Sequence, residues 1–126
     1  MTGADTCVVA REDGFTLTEL LVVIVIIGIL SAIAIGFYSG AREKAGDVTA
    51  RSNIRVALPA IEAYRSDNSS YVGMTLPVLQ TSYSPGVQGI EILSVNAAGY
   101  CVRSTIAGSS WYLNGPGGQI TTTACA

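Results

Sequence analysis

The sequence predicts an α+β protein in which one long N-terminal helix packs on a small antiparallel β-sheet of about four strands. An uncharged apolar run extends from Leu20 to Ala41, and an amphipathic segment continues it to Ser66. The last third of the chain contains short runs typical of strands, separated by turn-forming residues. The length of 126 residues suggests a single domain carrying this apolar extension.

The first half of the helix is predicted to lie in a membrane or in an equally apolar environment. A span needs about 20 apolar residues, and the run that begins at Leu20 is long enough. Glu19 stands at its start. Inserting a charged side chain into hydrocarbon is costly, by roughly 2.5–3.5 kcal/mol when the residue lies at the centre of a membrane helix. This expensive position indicates that the carboxylate has a function.

The second half of the helix is predicted to be amphipathic and to cover the sheet. Its apolar residues recur at spacings of three and four, as on one helix face. They are Val48, Ile54, Ala57, Leu58, Ile61 and Tyr64. Pro59 is expected to kink or locally open this half, and the turn-forming residues 66–70 end it.

The remainder is predicted to form an irregular loop and then an antiparallel meander. The loop, residues 71–89, has no clear period and contains Pro77 and Pro85. The short connections between the strands favour hairpins. The four predicted strands are Ile90–Val95, Tyr100–Ala107, Ser110–Leu113 and Gln119–Thr123.

Composition argues against several function classes. The sequence has no histidine, and its sheet region has no paired acids, so a membrane-anchored hydrolase lacks a nucleophile with its base. No cluster of residues suggests a metal or a cofactor, and the glycine-rich 114–118 is a turn rather than a phosphate cradle. The formal charge of −2 gives no strong nucleic-acid signal.

The segment from Gly14 to Ile24, GFTLTELLVVI, resembles the class III signal of type IV pilins and pseudopilins. The resemblance extends to about Tyr64 in sequence, and beyond that only in architecture. It implies cleavage between Gly14 and Phe15, N-methylation of Phe15, and a role for Glu19 in assembly. Two departures are Gly36 in place of a usual proline and the acids Glu12 and Asp13 directly before Gly14.

The predicted organisation follows from this resemblance. Residues 1–14 are a cleaved leader, 15–40 the transmembrane and filament-core half of the helix, 41–66 its amphipathic half, and 67–126 the loop and sheet domain. The implied partners are copies of the chain in a helical filament, a prepilin peptidase, an assembly platform protein and an ATPase. The precursor would cross the bacterial plasma membrane once, with its C-terminus outside, and the assembled form would be an extracellular pilus.

The sequence has three cysteines, Cys7, Cys101 and Cys125. Loss of the leader removes Cys7 and leaves an even number, so Cys101 and Cys125 are predicted to form a disulfide outside the cytoplasm. Two buried free thiols are the alternative.

The sequence is compatible with alternative functions. A pseudopilin of a type II secretion system is the nearest, although many major pseudopilins hold calcium and Glu91 is the only acid after Asp67. A minor or competence pilin has the same signals. A membrane-anchored binding module with an uncleaved span is the alternative from another class.

Overall fold

The computed structural model describes residues 14–125, which divide into two compact units between Phe37 and Tyr38. Each unit is described by itself. The predicted leader, Cys7 included, lies outside the described residues except for Gly14. One helix, α1 (Leu17–Asn68), contributes to both units.

The first unit is the apolar part of α1, preceded by the non-helical residues 14–16. Its large hydrophobic side chains are exposed: Leu20 is 60% exposed, Ile35 73% and Phe37 77%. Among the described residues, α1 is the helix long and apolar enough to cross a membrane. Exposure of so many Leu, Ile and Val side chains is unfavourable in water, so this segment requires a bilayer or other protein around it.

The second unit contains the rest of α1, a short helical segment and the sheet. Helix α2 (Leu76–Val78) has a proline in its first turn and continues as a π-helical turn (Leu79–Tyr83). The strands are β1 (Glu91–Val95), β2 (Tyr100–Ile106), β3 (Ser109–Gly115) and β4 (Ile120–Thr121).

The sheet is an antiparallel meander in the order β1-β2-β3-β4. This confirms the predicted fold class and strand order. In the β2–β3 hairpin, Val102 faces Leu113 and Ile106 faces Ser109. The turn between them is Ala107-Gly108, and both residues have a positive φ (51° and 86°), as a type I′ turn requires.

The core lies between one face of α1 and one face of the sheet. Ile54, Ala57 and Ile61 of the helix are fully buried, as is Val102 of β2. The helix is continuous through the exposed Pro59. Other buried members of this core are Ala60, Tyr64, Tyr71, Met74, Leu79, Val87, Ile90, Tyr100 and Leu113.

Polar contacts also join α1 to the sheet. The Trp111 indole N–H donates to the Asp47 carboxylate at 3.0 Å, and the Arg51 guanidinium lies 4.9 Å from the centre of the Trp111 ring. The bond from Trp111, with one from the Ser109 hydroxyl, lowers the pKa of the Asp47 carboxyl. Asp47 and Arg51 therefore help to orient the sheet against the helix, and they also form part of the polar surface of the helix.

The β2–β3 hairpin approaches α1 closely at Gly46. A Cβ there would lie 2.9 Å from the Ile106 carbonyl oxygen and 3.1 Å from the Ala107 Cβ. The backbone oxygen cannot move without shifting β2. Glycine at this position therefore sets the distance between helix and hairpin.

We expect Gly46→Ala to lower the free energy of unfolding of the sheet domain by about 1–3 kcal/mol, because overpacking a close contact outweighs the better helix propensity of alanine. Gly40→Ala is the matched control, since nothing lies within 4 Å of a Cβ added there. That change should be neutral or stabilising by up to about 1 kcal/mol. Thermal unfolding of both variants in detergent measures the difference, and equal melting temperatures would contradict the packing argument.

Three structural predictions were wrong in detail. Val48 is 67% exposed, and the buried residues of that part of α1 are Gly46 and Ala50. The predicted loop contains α2 and the π-helical turn, because Pro77 starts a helix rather than only interrupting one. Strand β3 extends through Asn114 and Gly115, which had been assigned to a turn.

Candidate functional site

The predicted processing site lies in exposed, non-helical chain. Gly14, Phe15 and Thr16 precede α1, and the Phe15 side chain is 86% exposed. A peptidase needs an extended and reachable segment, and a peptide bond inside a helix does not offer one. The bond between Gly14 and Phe15 is exposed and lies outside the helix.

The start of α1 is a capping box formed by Thr16 and Glu19. The Thr16 backbone N–H and hydroxyl both donate to Oε2 of Glu19, at 2.9 and 2.8 Å. In return, the Glu19 N–H donates to the Thr16 hydroxyl oxygen at 3.2 Å. This is the reciprocal arrangement that satisfies free N–H groups at a helix N-terminus.

Thr16 is the residue that the sequence interpretation missed. The signal was present, because Thr16-Leu17-Thr18-Glu19 fits the pattern Ser/Thr-x-x-Glu directly before an apolar run. The same residues also belong to the processing motif, which conceals the cap in the sequence. The consequence is that Glu19 has a local structural role in the single chain, in addition to any role between chains.

The environment of Glu19 is apolar apart from this cap. Phe15, Val22 and Val23 line a surface cleft together with Thr16, Thr18 and Glu19. The carboxylate also lies at the positive end of the helix dipole, which favours a negative charge. The Glu19 carboxylate therefore lies beside apolar side chains at the positive end of α1.

Cys101 and Cys125 form a disulfide across 24 residues of sequence. Cys101 belongs to β2 and is 2% exposed, and Cys125 follows β4 near the end of the described chain. Strand β4 pairs with β3 only at Ile120 and Thr121. The disulfide therefore adds a covalent attachment to β2 for a segment that pairs with the sheet at only two positions.

Two further ionisable pairs lie in the sheet region. Arg103 forms an ion pair with Glu91 on the neighbouring strand. Burial, together with the nearby Glu62 carboxylate, raises the pKa of the Tyr100 phenol to about 12. Within residues 14–125, no three His, Cys, Asp or Glu side chains lie together as metal ligands would.

Comparison with known proteins agrees with this architecture. Residues 9–35 match the family model described as the prokaryotic N-terminal methylation motif. The chain is 34% identical over 109 residues to the type IV wide pilus major component PilA4 of Thermus thermophilus, covering 84% of this chain and 83% of that protein.

Proteins of a second system are also similar. Type II secretion system core protein G of Aeromonas hydrophila is 43% identical over 61 residues, which is 48% of this chain and 43% of that protein. The same protein of Dickeya chrysanthemi is 41% identical over 61 residues, or 48% of this chain and 40% of that protein. The chain thus matches less than half the length of these secretion proteins.

Within residues 14–125, the fold combines one long helix, whose N-terminal half is apolar and exposed, with a small antiparallel sheet, and the N-terminal motif lies at the start of that helix. The chain belongs to the type IV pilin family, since its match to a pilus component extends over most of both proteins. The resemblance first seen in the N-terminal motif is confirmed.

Proposed function

We propose that this chain is the structural subunit of a type IV pilus and polymerises into a helical surface filament through the apolar half of α1. The observation that carries this proposal is the match over 84% of the chain to a pilus component, which includes the sheet domain as well as the helix. The exposed apolar side chains of the first unit provide the surface for self-association. The proposed role is structural rather than enzymatic.

The proposed path to the filament begins with a precursor in the bacterial plasma membrane, its sheet domain outside the cytoplasm. The Cys101–Cys125 disulfide supports this orientation, because disulfides persist in oxidising compartments. A prepilin peptidase would then cut between Gly14 and Phe15 and leave Phe15 methylated. A platform protein and a cytoplasmic ATPase would drive assembly.

The alternative is a pseudopilin of a type II secretion system, favoured by the higher identity, 43%, over a shorter segment. A strain lacking this chain distinguishes the two. Loss of surface filaments with normal protein secretion supports the pilus, whereas secreted proteins that accumulate inside the cell support the pseudopilus.

Processing gives a direct test. We expect intact-mass spectrometry of the surface form to show loss of residues 1–14 and one added methyl group. Gly14→Val should block the cut, because it places a stiff, β-branched side chain directly beside the peptide bond to be cleaved, where the exposed glycine has no side chain. Precursor should then accumulate in the membrane.

Gly28→Val is the control for this experiment. It makes the same chemical change inside α1, where a Cβ meets nothing within 4 Å, and should leave cleavage intact. A surface protein that retains Cys7, or normal cleavage of the Gly14→Val precursor, would contradict the processing site.

A further inference from the structure

The Glu19 carboxylate is held at one of its two oxygens. Both hydrogen bonds from Thr16 end on Oε2. Within residues 14–125, no hydrogen bond to Oε1 is present. A carboxylate has about four acceptor positions on its two oxygens, so the held group can still accept strong bonds. The cap fixes the side chain without using its full capacity.

The hydroxyl of Thr16 makes this arrangement specific. It donates to Glu19 Oε2 at 2.8 Å and accepts from the Glu19 N–H at 3.2 Å, so it closes the box in both directions. A side chain that is already fixed loses less conformational freedom when a partner binds. Without the hydroxyl, one donor remains and the carboxylate has more orientations available.

We propose that Thr16 is a positioning residue for assembly, which holds the Glu19 carboxylate toward the Phe15 ammonium of a second copy of the chain. Thr16 acts through Glu19 and does not touch the incoming amine. The bond that forms is a charge-assisted N–H···O contact in an apolar surrounding. This inference rests on the proposed function, because the amine at Phe15 exists only after cleavage.

The experiment measures incorporation in cells that express the full-length variant together with the wild-type chain. Sheared filaments and processed membrane protein are digested, and mass spectrometry gives the ratio of variant to wild-type N-terminal peptide in each. The ratio in filaments is divided by the ratio in the processed pool. Differences in peptidase cleavage therefore cancel.

Five variants are compared. Thr16→Val keeps the shape and removes the hydroxyl, and Thr16→Ser restores it. Ser31→Ala is the control, which removes a hydroxyl of α1 outside the cap and outside the cleft that contains Glu19. The other two are Glu19→Gln alone and Thr16→Val in a Glu19→Gln background. This background removes the charge that Thr16 is proposed to present.

We expect Thr16→Val to lower incorporation several-fold, up to roughly tenfold, because the carboxylate must then be ordered on docking and ordering one flexible side chain has an effect of about that size. Thr16→Ser and Ser31→Ala should stay within about twofold of wild type. In the Glu19→Gln background, Thr16→Val should add less than about twofold, because no carboxylate remains to be positioned.

Three results would overturn the inference: normal incorporation of Thr16→Val, failure of Thr16→Ser, or an equally large effect of Thr16→Val in the Glu19→Gln background. The last result would assign Thr16 to helix capping alone. Normal incorporation of Glu19→Gln would instead overturn the assembly role of Glu19 on which the inference depends. The two failures are therefore distinguishable.

Discussion

Glu19→Gln should reduce the number of filaments by at least about tenfold while leaving the subunit processed, membrane-inserted and folded. Glutamine keeps an oxygen that can accept the bonds from Thr16, so the capping box survives. It carries no charge, so the amine of the neighbouring Phe15 would be buried without a counter-ion. Leaving one member of a buried ion pair unpaired costs roughly 3–5 kcal/mol, and each 1.4 kcal/mol is about a factor of ten.

The structure changes how this prediction is best tested. Glu19→Ala removes the charge and the capping box together, because Glu19 is the acceptor for both Thr16 donors. Loss of a helix cap costs about 1 kcal/mol by itself. A failure of Glu19→Ala would therefore not separate assembly from local helix stability, whereas a failure of Glu19→Gln would.

The measurement is the filament count by electron microscopy at equal levels of processed subunit. Glu43→Gln is the matched control, because Glu43 is an exposed acid on the same helix and loses the same charge. It should leave the count near that of wild type. A normal filament count for processed Glu19→Gln would refute the ion pair and leave the capping box as the explanation of this glutamate.

The helix and the meander could be predicted because their signals are local. The apolar run, the period of Ile54, Ala57 and Ile61, and the short turns each specify an element within a few residues. The end of β3 could not be predicted in this way. Asn114-Gly115 has the composition of a turn, but Gly115 pairs with Tyr100 and leaves room for its ring, which a Cβ would meet directly.

The position of Val48 shows a second limit. Its spacing fits the apolar face of the helix, yet the hairpin turn at Ala107 lies close to Gly46, and the buried residues in that part of the helix are Gly46 and Ala50. Hydrophobicity alone cannot show that a glycine is the contact residue. The same limit applies to the π-helical turn, whose Leu79 is fully buried in a core shared with residues of the distant sheet and follows no local period.

At the site, the residues could be predicted from the sequence but their geometry could not. Gly14, Phe15 and Glu19 were identified from a motif, and Cys101 and Cys125 from their number. The same residues also fit a capping box formed by Thr16 and Glu19, but their match to the processing motif concealed it. Roles between chains stay predictions, because a single subunit contains only one side of each contact.

Loss of the disulfide should have the second large effect, on stability rather than on assembly. We expect Cys125→Ser to lower the free energy of unfolding of the sheet domain by about 2–5 kcal/mol, as for other small exported domains. The bond closes a loop spanning 24 residues of sequence separation, for which the chain-entropy model gives about 3 kcal/mol. Little else replaces it, since β4 pairs at two positions only.

Cys125→Ser is the informative variant, because Cys125 is partly exposed and serine there meets water. Cys101 is 2% exposed, so Cys101→Ser would add the cost of a buried hydroxyl to the loss of the bond. Thermal unfolding of the full chain in detergent gives the stability, and limited proteolysis should first remove the segment after Gly115. Wild-type protein treated with reductant is the control without a mutation, and its melting temperature should equal that of Cys125→Ser. If the oxidised wild type and Cys125→Ser unfold at the same temperature, the tail is held by its packing, and the disulfide contributes little to the stability of this domain.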